Sequence, residues 1–514
     1  MNRKLKCLIL FLCSILLFSI SLNFLSRTKN IMESSLPEEK KLKKLPPEIA
    51  FTTILLGGFR GILTDFLWLR ARKLQIEGKY FELVQLSNWI VLLEPNLPEV
   101  WRFNAWNLSY NISVEFPTPE ERWNWIYQGI KLLRDKGLKY LPDSPGLYLE
   151  LAWIYFDKIS SSIDEFSPYY KRKWAKIMEE AFGDIKLDEM VEYSSYEKLM
   201  EDSEVKKIVK AFKDKGLDIF KNWEKISRDN FSSLPEELKV YLKNKSFRKI
   251  EAYMRGKILR EKFKLIPEDM KEIEKKYLPL DWKAAPSHSL YWIEEGKKKT
   301  NMDEIDYERV VYFSLNHLFQ WGKIDFKKVG EEEIMVISPY LEVADILNKY
   351  YEKFIERIGK EKARGIQSSQ RTFLKNVILI AYTMNNLKIA DKYFKYLKKH
   401  YPDEVGKLTL SGYIAKQYYK TIKRAIPREI FGLLYGILHQ AFWYLGVGEE
   451  ERYKGLESLA HLIYKHATSK NERFKRLFPT FSSLKRSILE RAIDSYPPQI
   501  SKVLKYRLLT KIKK

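Results

Sequence analysis

Apolar residues recur at intervals of three and four along most of the chain, which is the periodicity of an amphipathic α-helix. The first clear run covers residues 62–76 and ends at Gly78, and the next covers residues 81–93 and ends at Glu94 and Pro95. Glycine between two helices and proline after the second define a helix-turn-helix unit of about 34 residues. The pattern therefore predicts paired helices rather than one long buried helix.

The helix-turn-helix unit recurs along the chain. Trp101 and Ala105 stand at an aromatic and a small position of the next first helix, and Tyr148 and Ala152 repeat them after an insertion. A fourth match covers residues 372–402. In it Asn385 and Asn386 replace the turn glycine, Ala390 holds the small position of the second helix, and Pro402 closes it. Since one such unit cannot bury its apolar face alone, the repeats are expected to stack as a solenoid.

The unit resembles a tetratricopeptide repeat, with Ala71 at the small position of the first helix and Gly78, Tyr80, Glu94 and Pro95 at the turn and the closing positions. Residues 50–160 are also similar to uncharacterised bacterial membrane-anchored tetratricopeptide proteins. The resemblance implies an α-solenoid that binds proteins, and it implies no known reaction.

In a tetratricopeptide array the first helices line a concave face. Transferring that geometry places aromatic and arginine side chains of three repeats on one groove, namely Trp68, Arg72, Arg102, Trp106, Tyr110 and Trp153. These positions lack the Lys and Asn pattern of the family's peptide-carboxylate clamp, which argues against binding of chaperone tails. Trp, Tyr and Arg often anchor partner peptides, so we predict a partner-binding groove. The alternative is that these bulky residues fill gaps beside the inserted segment.

The N-terminus predicts a membrane anchor. A basic stretch of six residues is followed by residues 8–25, which carry no charge and span about 27 Å as a helix. An uncleaved signal anchor is favoured over a cleaved signal peptide, since no small-x-small cleavage site is evident. Arg3, Lys4 and Lys6 favour a cytoplasmic N-terminus, whereas the basic residues at 40–44 argue for the opposite orientation. We expect a single-pass protein of the inner membrane with an extracytoplasmic body.

Charge and composition narrow the classes of partner. The chain of 514 residues has 91 Lys plus Arg against 67 Asp plus Glu, a net charge of +24. This excess of positive charge is consistent with contact with anionic lipid or with an acidic polymer, whereas the predicted anchor argues against binding of nucleic acid. The cysteines are Cys7, directly before the apolar residues 8–25, and Cys13, within them, so the rest of the chain has no disulfide or thiolate metal site.

Catalytic motifs are absent from the sequence. There is no His-Glu-x-x-His zinc motif, no Gly-x-Ser-x-Gly elbow and no Lys-Ser or Lys-Thr after the glycines of residues 57–61. His288 is expected to have a structural role, and no catalytic, cofactor or metal site is predicted. Carboxylate pairs are frequent, and in so charged a chain they are expected to be solvated.

Together these patterns predict an all-α protein in which a transmembrane helix precedes a solenoid with helical insertions. The expected segments are an anchor (1–26), a basic linker (27–47), repeats (48–160), a charged insertion (161–280), further repeats (281–404) and a helical region with a basic tail (405–514). The leading hypothesis is a scaffold for protein partners in an envelope complex, without catalysis. The alternatives are an envelope enzyme acting on glycan and a polyanion- or nucleic-acid-binding protein.

Overall fold

The computed structural model describes residues 59–229, 231–359, 362–422, 427–470 and 478–512. The described chain is mostly helical, which confirms the all-α class. No helix within these ranges is long and apolar enough to cross a bilayer. The predicted anchor at residues 8–25 lies outside them.

The chain forms two compact units. Within the described ranges, the first contains residues 59–116 and Asn124–Leu147, and the second contains Pro117–Trp123 and the residues from Tyr148 onward. The first unit contains α1 Phe59–Ile76, α2 Tyr80–Leu93 and α3 Pro98–Trp106. It also contains most of α4 Pro119–Lys131, which begins in the second unit. π-helical turns at Asn107–Ile112 and Leu132–Gly137, a 3-10 turn at Ser113–Glu115 and a helical turn at Leu138–Tyr140 extend α3 and α4.

The second unit holds the remaining long elements. They are α5 Pro145–Trp153 (which starts in the first unit), α6 Ser167–Phe182, α7 Ser203–Asp214, α8 Ile219–Arg228, α9 Lys245–Ile258, α10 Pro267–Lys276, α11 Ala285–Lys299, α12 Glu304–Trp321, β1 Lys323–Val329, β2 Glu332–Ser338, α13 Val343–Ile358, α14 Arg364–Thr383, α15 Leu387–His400, α16 Leu410–Ile422, α17 Pro427–Gly446, α18 Glu450–Lys470, α19 Phe481–Ser495 and α20 Pro498–Ile512. Short helical turns lie at Leu187–Glu192, Tyr196–Leu199, Glu236–Lys239, Val240–Lys243 and Pro402–Val405. π-helical turns extend α5 at Ile154–Ser160 and α9 at Leu259–Phe263.

The small residues picked out by the repeat pattern lie at helix contacts. Ala71, Ala105, Ala152 and Ala390 are all fully buried. The predicted turns also have the expected geometry, because Gly78 has a φ of +70° and Asn385, which replaces the turn glycine, has a φ of +56°. Only glycine adopts this left-handed region freely, and Asn is among the few residues that tolerate it.

A two-stranded antiparallel hairpin is an element that the helical periodicity did not predict. Strands β1 and β2 pair from Lys323 opposite Ser338 to Val329 opposite Glu332, around a turn in which Gly330 has a φ of +67°. Ile324 and Phe326 alternate with polar residues along β1, which is the two-residue period of a strand. The strands are seven residues each, too short for this period to stand out beside the flanking helices.

Residues 196–258 pack around an apolar cluster of their own. The cluster contains Phe212, Trp223, Phe231, Phe247 and Ile250, and all five side chains are buried. Asp202 and Asp218 cap α7 and α8 by accepting hydrogen bonds from backbone N–H groups of the first turn. This part of the predicted charged insertion is therefore a small helical module with an interior, and we call it the insertion module.

Candidate functional site

Helix α12 carries large side chains on two opposite faces. Its N-terminus is capped by Asp303, whose carboxylate accepts hydrogen bonds from the N–H groups of Ile305 (2.9 Å) and Asp306 (3.2 Å). One face is buried in the core and contains Tyr307, Val310, Val311, Ser314, Leu315, Leu318 and Phe319. The other face, at helical spacing, presents Ile305, Arg309, Tyr312, Asn316 and Gln320.

Two cavities lie side by side along this second face of α12. One has a volume of about 360 Å³ and is lined by Ile305, Glu308, Arg309, Tyr312, Tyr350, Tyr351, Phe354, Ile366 and Ser369. The other has a volume of about 540 Å³ and is lined by Tyr312, Asn316, Phe319, Gln320, Tyr351, Gly365, Ser368, Ser369, Thr372, Phe373, Asn376 and Ile380. We call these cavities, together with the second face of α12, the α12 groove.

A tyrosine pair joins the two cavities. The hydroxyl oxygens of Tyr312 and Tyr351 lie 2.6 Å apart, and the rings meet edge to face. Tyr351 also packs against Phe373, which in turn packs against Phe319. Rings that are fixed by such contacts lose little conformational freedom when a ligand covers them. The floor of the α12 groove is therefore preorganised.

A row of aromatic side chains lies beside the α12 groove, along the edge of α12 that carries Phe313. Trp153 packs against Phe156 with 4.9 Å between ring centroids and against Phe313 with 6.0 Å. The guanidinium group of Arg309 lies 5.4 Å from the Trp153 ring centroid, within the range of a cation–π contact. Trp153, the one predicted groove residue of the second unit, is thus half-buried beside the α12 groove.

The fixed charge around the α12 groove is positive. Glu308, the one carboxylate among the described residues that line the two cavities, accepts hydrogen bonds from both terminal nitrogens of Arg357 (2.8 and 2.5 Å). Arg309 is exposed, and Lys171 is half-buried with its ammonium 5.9 Å from the Trp321 ring centroid. Neither cation has a carboxylate partner among the described residues. Burial lowers the pKa of the Lys171 ammonium, as expected for a desolvated amine.

His317 lies on the same edge of α12 as Phe313. Its Nδ1 lies 3.1 Å from the Ser160 hydroxyl, and its ring meets Phe156 edge to face at 4.6 Å. Both partners belong to the π-helical turn Ile154–Ser160, which follows α5. Burial, and to a lesser degree the charge of Lys171, lowers the pKa of His317 to about 4. The imidazole is therefore neutral at pH 7.

The remaining predicted groove residues belong to the first unit. Trp68 meets Phe103 edge to face at 5.1 Å, Phe103 lies 6.5 Å from Trp106, and Trp106 stacks on Tyr110 at 6.2 Å. The structure thus brings three of the predicted residues into one aromatic row. Arg72 is exposed outside this row. A fifth, Arg102, is half-buried, with its side chain over Gly146.

Glu294 and Glu295, two carboxylates of α11, have structural partners. Glu294 accepts hydrogen bonds from the hydroxyls of Tyr277 (2.5 Å) and Tyr307 (2.7 Å) and from the ammonium of Lys276 (2.7 Å). Glu295 pairs with Lys299 one turn further along α11, and burial raises its pKa. Glycoside cleavage requires two carboxylates that flank the substrate. Among the described residues that line the α12 groove, Glu308 is the one carboxylate, so these residues do not form such a pair.

His288 is completely buried, and its Nε2 lies 2.7 Å from the carbonyl oxygen of Trp282. Trp174 and Tyr155 pack against its ring. These contacts agree with a structural role. Within the ranges that the structure describes, no group of three or more His, Cys, Asp and Glu side chains is placed to hold a metal ion.

The α12 groove itself was not predicted from the sequence. Tyr312, Tyr351 and Asn376 come from three helices and meet through contacts between them, which a local pattern does not show. The available signal was the sequence of α12, where large or polar residues occupy the positions between the core residues. No protein-family model matches the chain, and no curated protein is significantly similar to it.

Proposed function

We propose that this protein is a scaffold that binds an extended segment of a partner protein in the α12 groove. The observation that carries the proposal is the pair of adjoining cavities, which share Tyr312, Tyr351 and Ser369. Each volume lies in the range of known ligand pockets. Because the cavities adjoin along one helix, their shape suits a chain-like ligand better than a compact one.

The length of α12 sets the size of the ligand. Its 18 residues span about 27 Å, which is the length of about eight residues of extended peptide. The smaller cavity, with its aromatic and aliphatic lining, suits one large apolar side chain. The larger cavity is lined with carboxamides and hydroxyls, including Asn316, Gln320 and Asn376. Carboxamides donate and accept hydrogen bonds, so they suit the N–H and C=O groups of a peptide backbone.

The sequence suggests where in the cell this binding takes place and on what kind of scaffold. The apolar residues 8–25 support a single-pass anchor in the cell membrane, and the helix pairs α1–α2 and α14–α15 support a tetratricopeptide-like solenoid. In this proposal the partner belongs to an envelope complex, and the protein holds it at the membrane without a reaction of its own.

A random peptide library tests the proposal because it presupposes no partner sequence. The full chain, purified in detergent, is panned against random dodecapeptides displayed on phage, and enriched peptides are synthesised with a fluorophore for anisotropy titration. We expect enriched peptides to contain a large apolar residue, and we expect Tyr312→Ala to weaken their binding by about 1–3 kcal/mol.

The matched control is Tyr506→Ala, since Tyr506 is an exposed tyrosine of α20 outside the groove. It should leave the affinity unchanged. Circular dichroism and urea denaturation must show that both variants remain folded. Recovery of no peptide, or of peptides whose affinity is equal for wild type and Tyr312→Ala, would reject the groove as the binding site.

A further inference from the structure

Helix α1 exposes a row of large apolar side chains. Ile62, Phe66, Leu69 and Ile76 are between 62% and 79% exposed. Their spacing of four, three and seven residues places them on one face of α1, and we call this face the α1 stripe. On the opposite face of α1, Leu67, Ala71 and Leu74 are buried against the rest of the first unit. Isolated exposed apolar residues are common, whereas a contiguous row usually marks an interaction surface.

Cationic side chains border the α1 stripe. At 100° per residue, Arg70 lies about 80° to one side of Ile62 and Arg72 about 80° to the other. Lys73 falls within the stripe, and all three side chains are exposed. Asp65 is an exposed acidic residue of this surface, and Glu77, just after the helix, is paired with Lys79 at 3.0 Å and with Lys73 at 3.8 Å. The α1 stripe therefore has an apolar part at Ile62, Phe66 and Leu69, which Lys73 separates from Ile76, and its margins are predominantly basic.

We infer that α1 lies along the surface of a bilayer that contains anionic lipids, with the α1 stripe among the upper acyl chains. An interfacial helix has this arrangement, since its apolar face enters the acyl region by about 5–10 Å while arginine and lysine extend to the headgroup phosphates. A second copy of the chain would cover the stripe as well, but it would bring the exposed Arg70, Arg72 and Lys73 of both copies together, with one Asp65 from each copy to offset them.

The chain that precedes α1 keeps a bilayer within reach. Residues 26–58, a stretch of 33, connect the apolar residues 8–25 to the start of α1. Even fully extended, such a stretch spans at most about 120 Å. If residues 8–25 anchor the chain as proposed above, this tether keeps α1 at a high effective concentration near the membrane. The α1 stripe itself does not depend on partner binding in the α12 groove.

A fluorescent label on the stripe tests the inference in the full chain. Cys7 and Cys13 are replaced by serine, and Leu69→Cys is labelled with the environment-sensitive fluorophore NBD. The protein is reconstituted into vesicles of phosphatidylcholine alone or with about one third phosphatidylglycerol, with and without lipids brominated near the headgroup. We expect a blue-shifted emission that the brominated lipid quenches at least about threefold more strongly in the anionic vesicles.

Phe66→Glu places a charge in the middle of the stripe and should abolish this difference. Val240→Glu is the matched control, because Val240 is 74% exposed but belongs to the insertion module, and it should leave the quenching unchanged. Absence of quenching, or equal quenching in the two kinds of vesicle, would overturn the inference. A blue shift that grows with protein density but escapes the brominated lipid would show that a second copy covers the stripe, which also overturns it. None of these outcomes changes the peptide affinity of the α12 groove.

Discussion

Protonation of His317 should destabilise the second unit in mild acid. An unfolded histidine has a pKa of about 6.5, whereas burial lowers the pKa of His317 to about 4. The unfolded chain therefore binds this proton first, so the contribution is fully present above pH 6.5 and is lost as the pH falls towards 4. Between pH 7.5 and pH 5, linkage gives a loss of about 2 kcal/mol in the free energy of unfolding from this one group.

The assay compares wild type with His317→Asn, because an asparagine amide can still meet the Ser160 hydroxyl. Urea denaturation at both pH values gives four free energies of unfolding. The double difference is the pH-dependent change in the free energy of unfolding of the wild type minus that of the variant. The carboxylates that titrate in this range are common to both proteins, so their effects cancel in it. The wild type should lose about 2 kcal/mol more than the variant.

The titration can also be observed directly. The chain has six histidines, so histidine-selective ¹³C labelling gives few resonances, and the one missing from His317→Asn identifies the residue. Its midpoint should lie well below that of a solvated histidine. A midpoint near 6.5, or a double difference below about 0.5 kcal/mol, would refute the reasoning that burial controls this group.

Three further perturbations test other parts of the structure. Trp106 is 37% exposed, so Trp106→Ala should lower the free energy of unfolding in urea by about 1–2 kcal/mol. A loss of about 3–5 kcal/mol would instead show that Trp106 belongs to the core. Glu294→Gln should cost about 1–3 kcal/mol in the same assay, because two tyrosine hydroxyls and Lys276 lose a charged acceptor; unchanged stability would contradict the structural role of Glu294. Burial raises the pKa values of Tyr340 and Tyr396 to about 12, so their contribution to stability should be complete below pH 10 and be lost between pH 10 and 12. Absorbance near 295 nm, where tyrosinate absorbs, should then rise later than in the urea-unfolded chain, and coincident titrations would contradict this.

The repeat pattern could be inferred from the sequence because it is local. Close helix contacts admit only small side chains such as those of the buried Ala71 and Ala390, and the turns at Gly78 and Asn385 have the left-handed backbone that Gly and Asn tolerate. These residue types therefore indicate the contact or the turn by themselves. The α12 groove could not be found in this way. It depends on which helices meet α12, and Tyr351 lies 39 residues from the tyrosine it contacts. Sequence periodicity describes the faces of single helices, whereas a groove is a property of several.

The insertion module has an evolutionary consequence. Its apolar cluster is drawn from residues between Leu199 and Met254, so its interior is largely supplied by the module itself. Changes in the length or composition of α7 and α8 can therefore be absorbed locally, without altering the spacing of the helices that form the α12 groove. Homologous proteins should accordingly vary most between residues 200 and 245, and a chain that has lost this stretch should still keep the aromatic row of Trp153, Phe156 and Phe313.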